Sequence, residues 1–105
     1  MSKYCVVFVT AASPQEGKKV ARQILEKKAA ACVNIVSGIK SHYWWQGKIE
    51  TANEVLLIIK TKKSLFTFLE TLVKKIHRYT VPEIICLPIE KGSKDYLAWI
   101  DSSTK

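Results

Sequence analysis

Apolar and polar positions alternate with two different periods along the chain, and these periods predict which segments are strands and which are helices. Residues 4–10 form a dense β-branched and aromatic run, typical of a central strand covered on both faces. The stretch SPQE then places Ser13 as an N-cap, Pro14 at the first helical position and Glu16 three residues after the cap. From there to Ala29 apolar residues recur every three or four positions, which predicts a helix packed on a sheet.

The middle of the chain is predicted to be one long β-hairpin. Two strand-like segments, ACVNIVSGIKSHYWW and KIETANEVLLIIKT, flank Gln46 and Gly47. A glycine at this point can adopt the positive φ that reversal of the chain often needs. Each arm of about a dozen residues spans roughly 40 Å, about twice the usual length of a strand. Gly38 inside the first arm indicates a bulge or a bend.

The last part of the chain is predicted to contain a helix, a strand and a short final helix. KKSLFTFLETLVKKI repeats apolar side chains at helical spacing, with Ser64 as its predicted N-cap. VPEIICLPIEKG is predicted to be a fourth strand, and Pro88 places that strand at an edge or at a bulge because proline cannot donate a ladder hydrogen bond. SKDYLAWIDSS is predicted to be a helix that packs Leu97 and either Trp99 or Ile100 inward.

This order of elements predicts the α+β fold class. We expect a single domain over residues 1–105 with the ferredoxin-like βαββαβ arrangement, a four-stranded antiparallel sheet with both helices on one face. The segments EVLLIIK and EIICLPI are apolar at nearly every position, so the other face of the sheet also needs a cover. A large exposed apolar face is a liability, and we therefore expect self-association through the open face and the overhanging hairpin.

Composition and charge narrow the class of partner without naming one. The chain has 17 basic and 9 acidic side chains, a formal net charge of +8 that favours attraction to anions. Most of the basic residues lie on predicted helix faces, where solvation explains them more simply. Nucleic acid is not an expected partner, because the RRM signature is absent and self-association would hide the sheet face. No stretch approaches the ~20 apolar residues of a membrane-spanning helix, so no membrane partner is expected.

The cysteines indicate a reducing compartment. Cys5, Cys32 and Cys86 are odd in number, lack C-x-x-C spacing and lie in apolar strand-like runs, so we expect buried, reduced thiols and a cytoplasmic protein. The start MSKYCVVFVTAA has some features of a secretory signal. Its apolar run is β-branched and ends at a helix start, which favours the first strand of the mature fold.

Six segments in order resemble the CutA divalent-cation tolerance family: VFVTA, AACVNI, SHYWWQGKIE, EVLLIIKT, VPEIICLPI and GSKDYLAWI. The resemblance covers nearly the whole chain. It implies a ferredoxin-like subunit in a homotrimer whose hairpin arms extend onto neighbouring subunits. It also implies that the aromatic hairpin segment packs in the trimer interface rather than serving as an exposed ligand platform; the residues concerned are Tyr43, Trp44, Trp45 and Gly47.

The resemblance further implies a cluster of polar side chains near clefts between subunits. Such a cleft can hold a small anion, coordinate a metal or form an ion-paired interface, and for Glu50 and Lys60 a salt bridge between strands is the simpler interpretation. In KIHRYTVPE, Arg78 stands where the family usually has proline, which leaves the shape of the loop open and favours an anion over a cation beside His77. The cleft residues are Lys48, Glu50, Lys60, His77, Tyr79, Glu83, Tyr96 and Trp99.

Two functions are weighed from these features. The resemblance implies a trimeric binding protein associated with divalent-cation (copper) tolerance and the response to metal ions, with modest affinity for Cu(II) or another divalent cation and no organic cofactor. His77 and Glu83 are its candidate metal ligands, although no ligand spacing signals a strong site and helix carbonyls usually satisfy a histidine at a helix end. The alternative, by analogy of fold alone, is a PII-like small-molecule sensor or scaffold that binds an anion in intersubunit clefts.

An enzyme is not expected. The three thiols lie in strand-like runs, no nucleophile elbow is visible, and the carboxylates show no pairing suited to acid and base catalysis. A cleft around His77, Tyr79 and Glu83 can in principle move a proton, and loss of turnover in His77→Ala would be the evidence for it.

Overall fold

A computed structural model describes residues 2–105 of the chain. Within them the elements are β1 Tyr4–Ala11, α1 Pro14–Glu26, β2 Cys32–Trp45, β3 Lys48–Lys62, α2 Phe66–Ile76, β4 Ile84–Pro88 and α3 Lys94–Ser103. The strands form one antiparallel sheet in the order β2-β3-β1-β4. This confirms the α+β class, the βαββαβ order and the short C-terminal helix predicted from the sequence.

The hydrophobic core lies between one face of the sheet and the helices α1 and α2. Every second residue of β1 and of the second half of β3 is buried, as the period of two in a strand requires. The apolar stripes of the two helices pack on these positions and complete one core cluster. Its fully buried members include Cys5, Val7, Val9, Val20, Ile24, Leu57, Ile59, Leu69 and Val73.

The two helices of the core begin differently. In α1 the side chain of Ser13 accepts a hydrogen bond of 3.1 Å from the amide of Glu16, and Pro14 is the first helical residue, as predicted. The prediction that Ser64 caps the second helix is wrong. A 3₁₀ turn at Lys63–Leu65 precedes α2, and no side chain caps either element. Ser64 lies inside this turn, where its backbone is already helical and its hydroxyl cannot take the N-cap position.

The hairpin of β2 and β3 has arms of 14 and 15 residues. The register shifts between Val36 and Ile39, so the predicted bulge is present, and Gly38 in it has φ of +80°. Gln46 and Gly47 both have positive φ at the tip, 50° and 80°, which matches the twist of a two-residue hairpin turn. The hairpin gives the chain a long axis of 44 Å, whereas its other two axes measure 26 Å and 23 Å.

The predicted length of the fourth strand and the predicted burial of two cysteines are corrected, and the choice between Trp99 and Ile100 is decided. The fourth strand is shorter than its apolar segment, five residues from Ile84 to Pro88 at the edge of the sheet. Cys32 and Cys86 are half-buried rather than buried, because both lie on the edge strands. Ile100 is the residue of α3 that packs inward, whereas Trp99 is exposed.

The face of the sheet away from α1 and α2, called here the open face, carries a continuous row of apolar side chains. Phe8 lies opposite Ile58 on one side and Ile85 on the other. On the edge strand Ile85 is 49% exposed. Within one chain β1 is therefore covered on one face only, not on both as predicted. The members of the row and its neighbours are Val6, Phe8, Leu56, Ile58, Ile85 and Leu87.

None of the helices in the described part of the chain has the length and the apolar character needed to cross a membrane.

Candidate functional site: a groove between the hairpin and the loop after α2

The loop of residues 77–83 is held against the end of β1 by a buried histidine. Helix α2 ends at Ile76, and His77 leaves it with an extended backbone, φ −67° and ψ 138°. The His77 side chain is fully buried, and its Nε2 lies 2.5 Å from the carbonyl oxygen of Thr10. The amide of Tyr79 donates to Nδ1 over 3.2 Å.

These two hydrogen bonds define the protonation of the ring. An Nδ1 that accepts from an amide has no proton, and an Nε2 beside a carbonyl oxygen must carry one, so the hydrogen-bond network assigns the neutral Nε2–H tautomer. Both nitrogens of His77 are then occupied. Ligation of a metal by this side chain requires the loss of one of the two bonds.

Glu16 is the second buried residue of the site, and the sequence predicted for it only a role in the capping box. Its Oε1 accepts from the amide of Ala12 at 2.9 Å, and its Oε2 accepts from the amide of Arg78 at 3.2 Å. One carboxylate thus ties the start of α1 to the loop after α2. His77 Nε2 lies 3.9 Å from Oε1, and the guanidinium of Arg78, with its side chain 85% exposed, lies 4.0 Å from Oε2.

Tyr79 connects the same loop to the hairpin. Its hydroxyl donates a hydrogen bond of 2.7 Å to Oε2 of Glu54, a buried carboxylate of β3 that lies opposite Ile39 beside the bulge. Burial, and next the hydrogen bond to Glu54, raise the pKa of the Tyr79 phenol well above its ordinary value. The phenol therefore remains a donor at neutral pH. The rings of His77 and Tyr79 pack with centroids 4.8 Å apart.

The loop and the hairpin enclose an open groove of about 460 Å³, called here the hairpin–loop groove. Its polar lining includes Glu54, Glu83, His42 and the hydroxyl of Tyr79. A smaller recess of about 290 Å³ adjoins it and is lined by Tyr43, Trp45, Arg78, Tyr79, Thr80 and Val81. Cationic, acidic and aromatic groups thus meet along one surface. The lining of the larger groove comprises Thr10, Ser41, His42, Tyr43, Glu54, Tyr79, Val81, Pro82 and Glu83.

A second polar cluster lies at the other end of the hairpin. Lys60 of β3 is opposite Cys32 of β2, and its ammonium donates to the side-chain oxygen of Asn34. The Cys32 sulfur is 3.7 Å from the same oxygen. Burial, followed by the neighbouring Cys32, raises the pKa of Tyr96. The ring of Tyr96 packs at 5.4 Å from that of Trp99, both on α3. Cys32 and Asn34 were not predicted as site residues, since an apolar strand run gives no signal for them.

The residues predicted for one cleft are therefore distributed over three places in a single chain. His77, Tyr79 and Glu83 lie at the groove, Lys60, Tyr96 and Trp99 at the second cluster, and Lys48 and Glu50 at the hairpin tip. Glu50 and Lys60 are ten residues apart on one strand, roughly 33 Å at strand rise, so they cannot pair within one chain. Only contacts between copies can bring these groups together.

The aromatic hairpin tip is exposed in one chain. Trp44 is 72% and Trp45 41% exposed. Trp44 points to the same side of the hairpin as Ile49, its partner in the register, which is also exposed. Tyr43 and Trp45 belong to the opposite side, which continues into the open face.

The sequence was compared with models of known protein families, and one of them matches nearly the whole chain. The family model described as "CutA1 divalent ion tolerance protein" matches residues 5–103. The chain belongs to the CutA1 family. The matched residues extend from β1 to α3 and include the long hairpin.

Individual CutA relatives agree with this assignment over most of the chain. "Protein CutA 1, chloroplastic" of Oryza sativa is 52% identical over 100 residues, which cover 95% of this chain and 56% of the relative. "Divalent-cation tolerance protein CutA" of Archaeoglobus fulgidus is 46% identical over 99 residues, 94% of this chain and 96% of the relative. The chain thus spans about half the length of the plant relative and nearly all of the archaeal one.

Solved CutA structures share the fold closely. The crystal structure of CutA1 from Oryza sativa superposes with a TM-score of 0.96 at 50% identity, covering 99% of this chain and 95% of that chain. The structure from Archaeoglobus fulgidus, described as a periplasmic divalent cation tolerance protein, gives a TM-score of 0.94 at 45% identity, with 97% and 99% covered. The names of these relatives place them in different compartments, chloroplast and periplasm.

Proposed function

We propose that this chain acts in divalent-cation tolerance as a self-assembling binding protein, a homotrimer that takes up Cu(II) or another divalent cation with modest affinity. The observation that supports assembly is the apolar open face, where Phe8, Ile58 and Ile85 form one cross-strand row and Ile85 is 49% exposed within one chain. The names of the relatives support the connection with divalent cations.

The hairpin–loop groove is the proposed place for the cation. Glu54 and Glu83 line it together with His42, so oxygen and imidazole ligands are available there. Within residues 2–105 no three His, Cys, Asp or Glu side chains lie close enough together to hold a metal ion. The proposal therefore requires ligands from more than one copy, which agrees with modest affinity. Glu83 is exposed and is the preferred ligand, whereas His77 would first have to release Thr10 or Tyr79.

Native mass spectrometry with sub-stoichiometric Cu(II) tests assembly and occupancy together. We expect a trimer that retains copper and loses most of it in Glu83→Gln. Glu26→Gln, on the exposed side of α1, is the matched control and retains copper. His77→Gln tests whether His77 is a ligand or only positions the loop. If it only positions the loop, the variant still binds copper but its trimer is less stable. A trimer that stays empty at micromolar Cu(II) contradicts direct cation binding.

Arg78 favours one alternative, a PII-like sensor or scaffold for a small anion. Its guanidinium lines the recess beside the groove, and its only carboxylate neighbour within the described chain is Glu16, which already accepts two backbone amides. The net charge of +8 acts in the same direction. Titration with ATP and with 2-oxoglutarate, followed by tryptophan fluorescence, tests this function. Saturable binding that disappears in Arg78→Gln supports it, and unchanged fluorescence to millimolar ligand rejects it.

We further propose that the chain binds its ligand rather than catalysing a reaction. We also propose that it acts in the cytoplasm. The imidazole of His77 uses both nitrogens in hydrogen bonds to the backbone, which leaves it unsuited to proton transfer as it stands. The three cysteines are free thiols, the state that a reducing compartment maintains. A fusion of the chain to a fluorescent protein would reveal its compartment.

A further inference from the structure

The excess positive charge of the chain is concentrated on the two helices that cover the sheet. Residues 14–28 and 63–78 hold nine lysines and arginines and three glutamates, whereas the rest of the chain holds eight basic and six acidic residues. These two segments therefore carry +6 of the formal net charge of +8. All nine basic residues are exposed, and together they are called here the basic helix face: Lys18, Lys19, Arg22, Lys27, Lys28, Lys63, Lys74, Lys75 and Arg78.

The two segments lie side by side and run in opposite directions, so their basic residues share one surface. Helices α1 and α2 pack against each other. At one end of the surface Lys19 and Arg78 line the same small hollow. At the other end Thr61, just before the second segment, donates a hydrogen bond of 2.7 Å to the carbonyl oxygen of Ala29, just after the first. The surface is about 20 Å long, the length of the 13 residues of α1.

Few carboxylates within the chain balance these cations. Glu16, Glu26 and Glu70 each lie within 4.0 Å of one basic residue of the face. The other six basic residues form no ion pair within residues 2–105. Lys18 and Arg22 are also one helical turn apart, where like charges destabilise a helix. Solvated surfaces usually intersperse both signs of charge, so a field of one sign over this area indicates an anionic partner.

The rest of the surface indicates which kind of anionic partner fits. Leu25 is the only exposed large hydrophobic residue of the two segments, and Phe66 and Phe68 are half-buried. Proteins that bind single strands stack bases on exposed aromatic rings, and helices that lie on membranes embed apolar or aromatic side chains. This surface therefore lacks what either of those partners needs. Contacts to the phosphates of a duplex require only cationic and polar groups.

The spacing of the cations suits B-form DNA. Each of the two helices carries a row of cations, and the axes of packed helices are about 8–10 Å apart. The phosphate rows that border the major groove of B-DNA are about 12 Å apart, a difference that long lysine side chains can span. About 20 Å of such a duplex carries about twelve phosphates, which is enough for every cation of the basic helix face.

We propose that the basic helix face binds the phosphate backbone of double-stranded DNA without reading its sequence. This surface lies on the helix-covered side of the sheet, so self-association through the open face leaves it accessible. The absence of the RRM signature argues only against binding by the opposite side of the sheet. Binding of DNA here does not depend on a cation in the hairpin–loop groove.

Fluorescence anisotropy with a labelled 24-base-pair DNA of arbitrary sequence tests the proposal. We expect saturable binding at low-micromolar protein in 50 mM NaCl that weakens about a hundredfold or more in 200 mM NaCl, because phosphate contacts release counterions. The double variant Lys18→Gln with Lys75→Gln should bind at least about tenfold more weakly and with a smaller salt dependence. The matched control, Lys91→Gln with Lys94→Gln, removes the same charge from exposed positions outside the face and should change the affinity less than about threefold. Circular dichroism confirms that each variant is folded.

A protein that binds no DNA at 100 µM in 50 mM NaCl overturns the proposal, and so does an equal loss of affinity in the control variant. Vesicles with 30% phosphatidylserine and an RNA duplex of the same length are the competing anions. Binding of either one at least as tightly as the DNA assigns the surface to another partner and overturns this assignment. Glu83→Gln should retain DNA binding, so failure of the groove proposal and failure of this one are distinguishable.

Discussion

Tyr79 donates a 2.7 Å hydrogen bond to Glu54, and this contact fixes the loop after α2 against the bulged part of the long hairpin. The two residues are 25 positions apart in the sequence, and both line the groove. Glu54 is buried, so its carboxylate depends on this donor. This hydrogen bond holds the loop at the hairpin and so determines the shape of the hairpin–loop groove.

Replacing Tyr79 by Phe should destabilise the fold by about 1–2 kcal/mol, because a buried carboxylate loses its donor while the ring is retained. Urea unfolding measures the change. Tyr43→Phe is the matched control, since its hydroxyl has no hydrogen-bond partner among the described residues and the ring lines the same groove. A loss in Tyr43→Phe as large as that in Tyr79→Phe contradicts the role of the Tyr79 hydroxyl.

The hydrogen bond between Tyr79 and Glu54 also predicts that the stability of the fold decreases at alkaline pH. The pKa of Tyr79 is raised in the folded state, so its contribution to stability is complete below the ordinary phenol pKa of about 10 and is lost as the pH rises above it. The free energy of unfolding should fall more steeply between pH 9.5 and 11 in the native protein than in Tyr79→Phe. If the free energies of unfolding of the two proteins fell in parallel with pH, folding would not change the pKa of the Tyr79 phenol.

Glu16 should be more important for stability than other glutamates of α1. Glu16→Gln leaves one oxygen for two backbone donors, Ala12 and Arg78, and we expect a loss of about 1–3 kcal/mol in thermal or urea unfolding. Glu26→Gln removes an exposed ion pair with Arg22 and should change stability by less than about 0.5 kcal/mol. Equal effects of the two substitutions would show that Glu16 is an ordinary surface charge.

The sequence predicts the framework better than it predicts the site. Strand and helix periods, the cap at Ser13 and the turn at Gly47 are local signals, and the structure confirms them. The contacts of Glu16 and Tyr79 depend on how the loop after α2 folds back. Such long-range contacts leave no repeating pattern in the sequence. Glu16 also had a sufficient local explanation as a capping residue.

The second polar cluster was missed in part for a similar reason. Cys32 and Asn34 lie in residues 32–36 of β2, where the other residues are apolar, and only the register opposite Lys60 shows that they form a cluster with it. The residues predicted to share one cleft were grouped by resemblance. A single chain leaves Lys48 and Lys60 at opposite ends of β3.

Charge placed on the open face should prevent assembly. Ile85→Lys adds an ammonium to the exposed apolar row, and we expect it to dissociate the proposed trimer because a buried unpaired charge is costly to desolvate. Leu25→Lys, at a comparably exposed apolar position on α1, should leave assembly unchanged. Sedimentation equilibrium at micromolar protein distinguishes the two. A trimer that persists in Ile85→Lys excludes the open face as the interface.

The mass of the native protein in solution tests the central proposal most directly. Native mass spectrometry or sedimentation equilibrium at micromolar concentration should give a species of three chains, each of 11.9 kDa. A trimer supports both the covered open face and a groove completed by neighbouring copies. A stable monomer at these concentrations would contradict self-association and, with it, the proposed shared cation site.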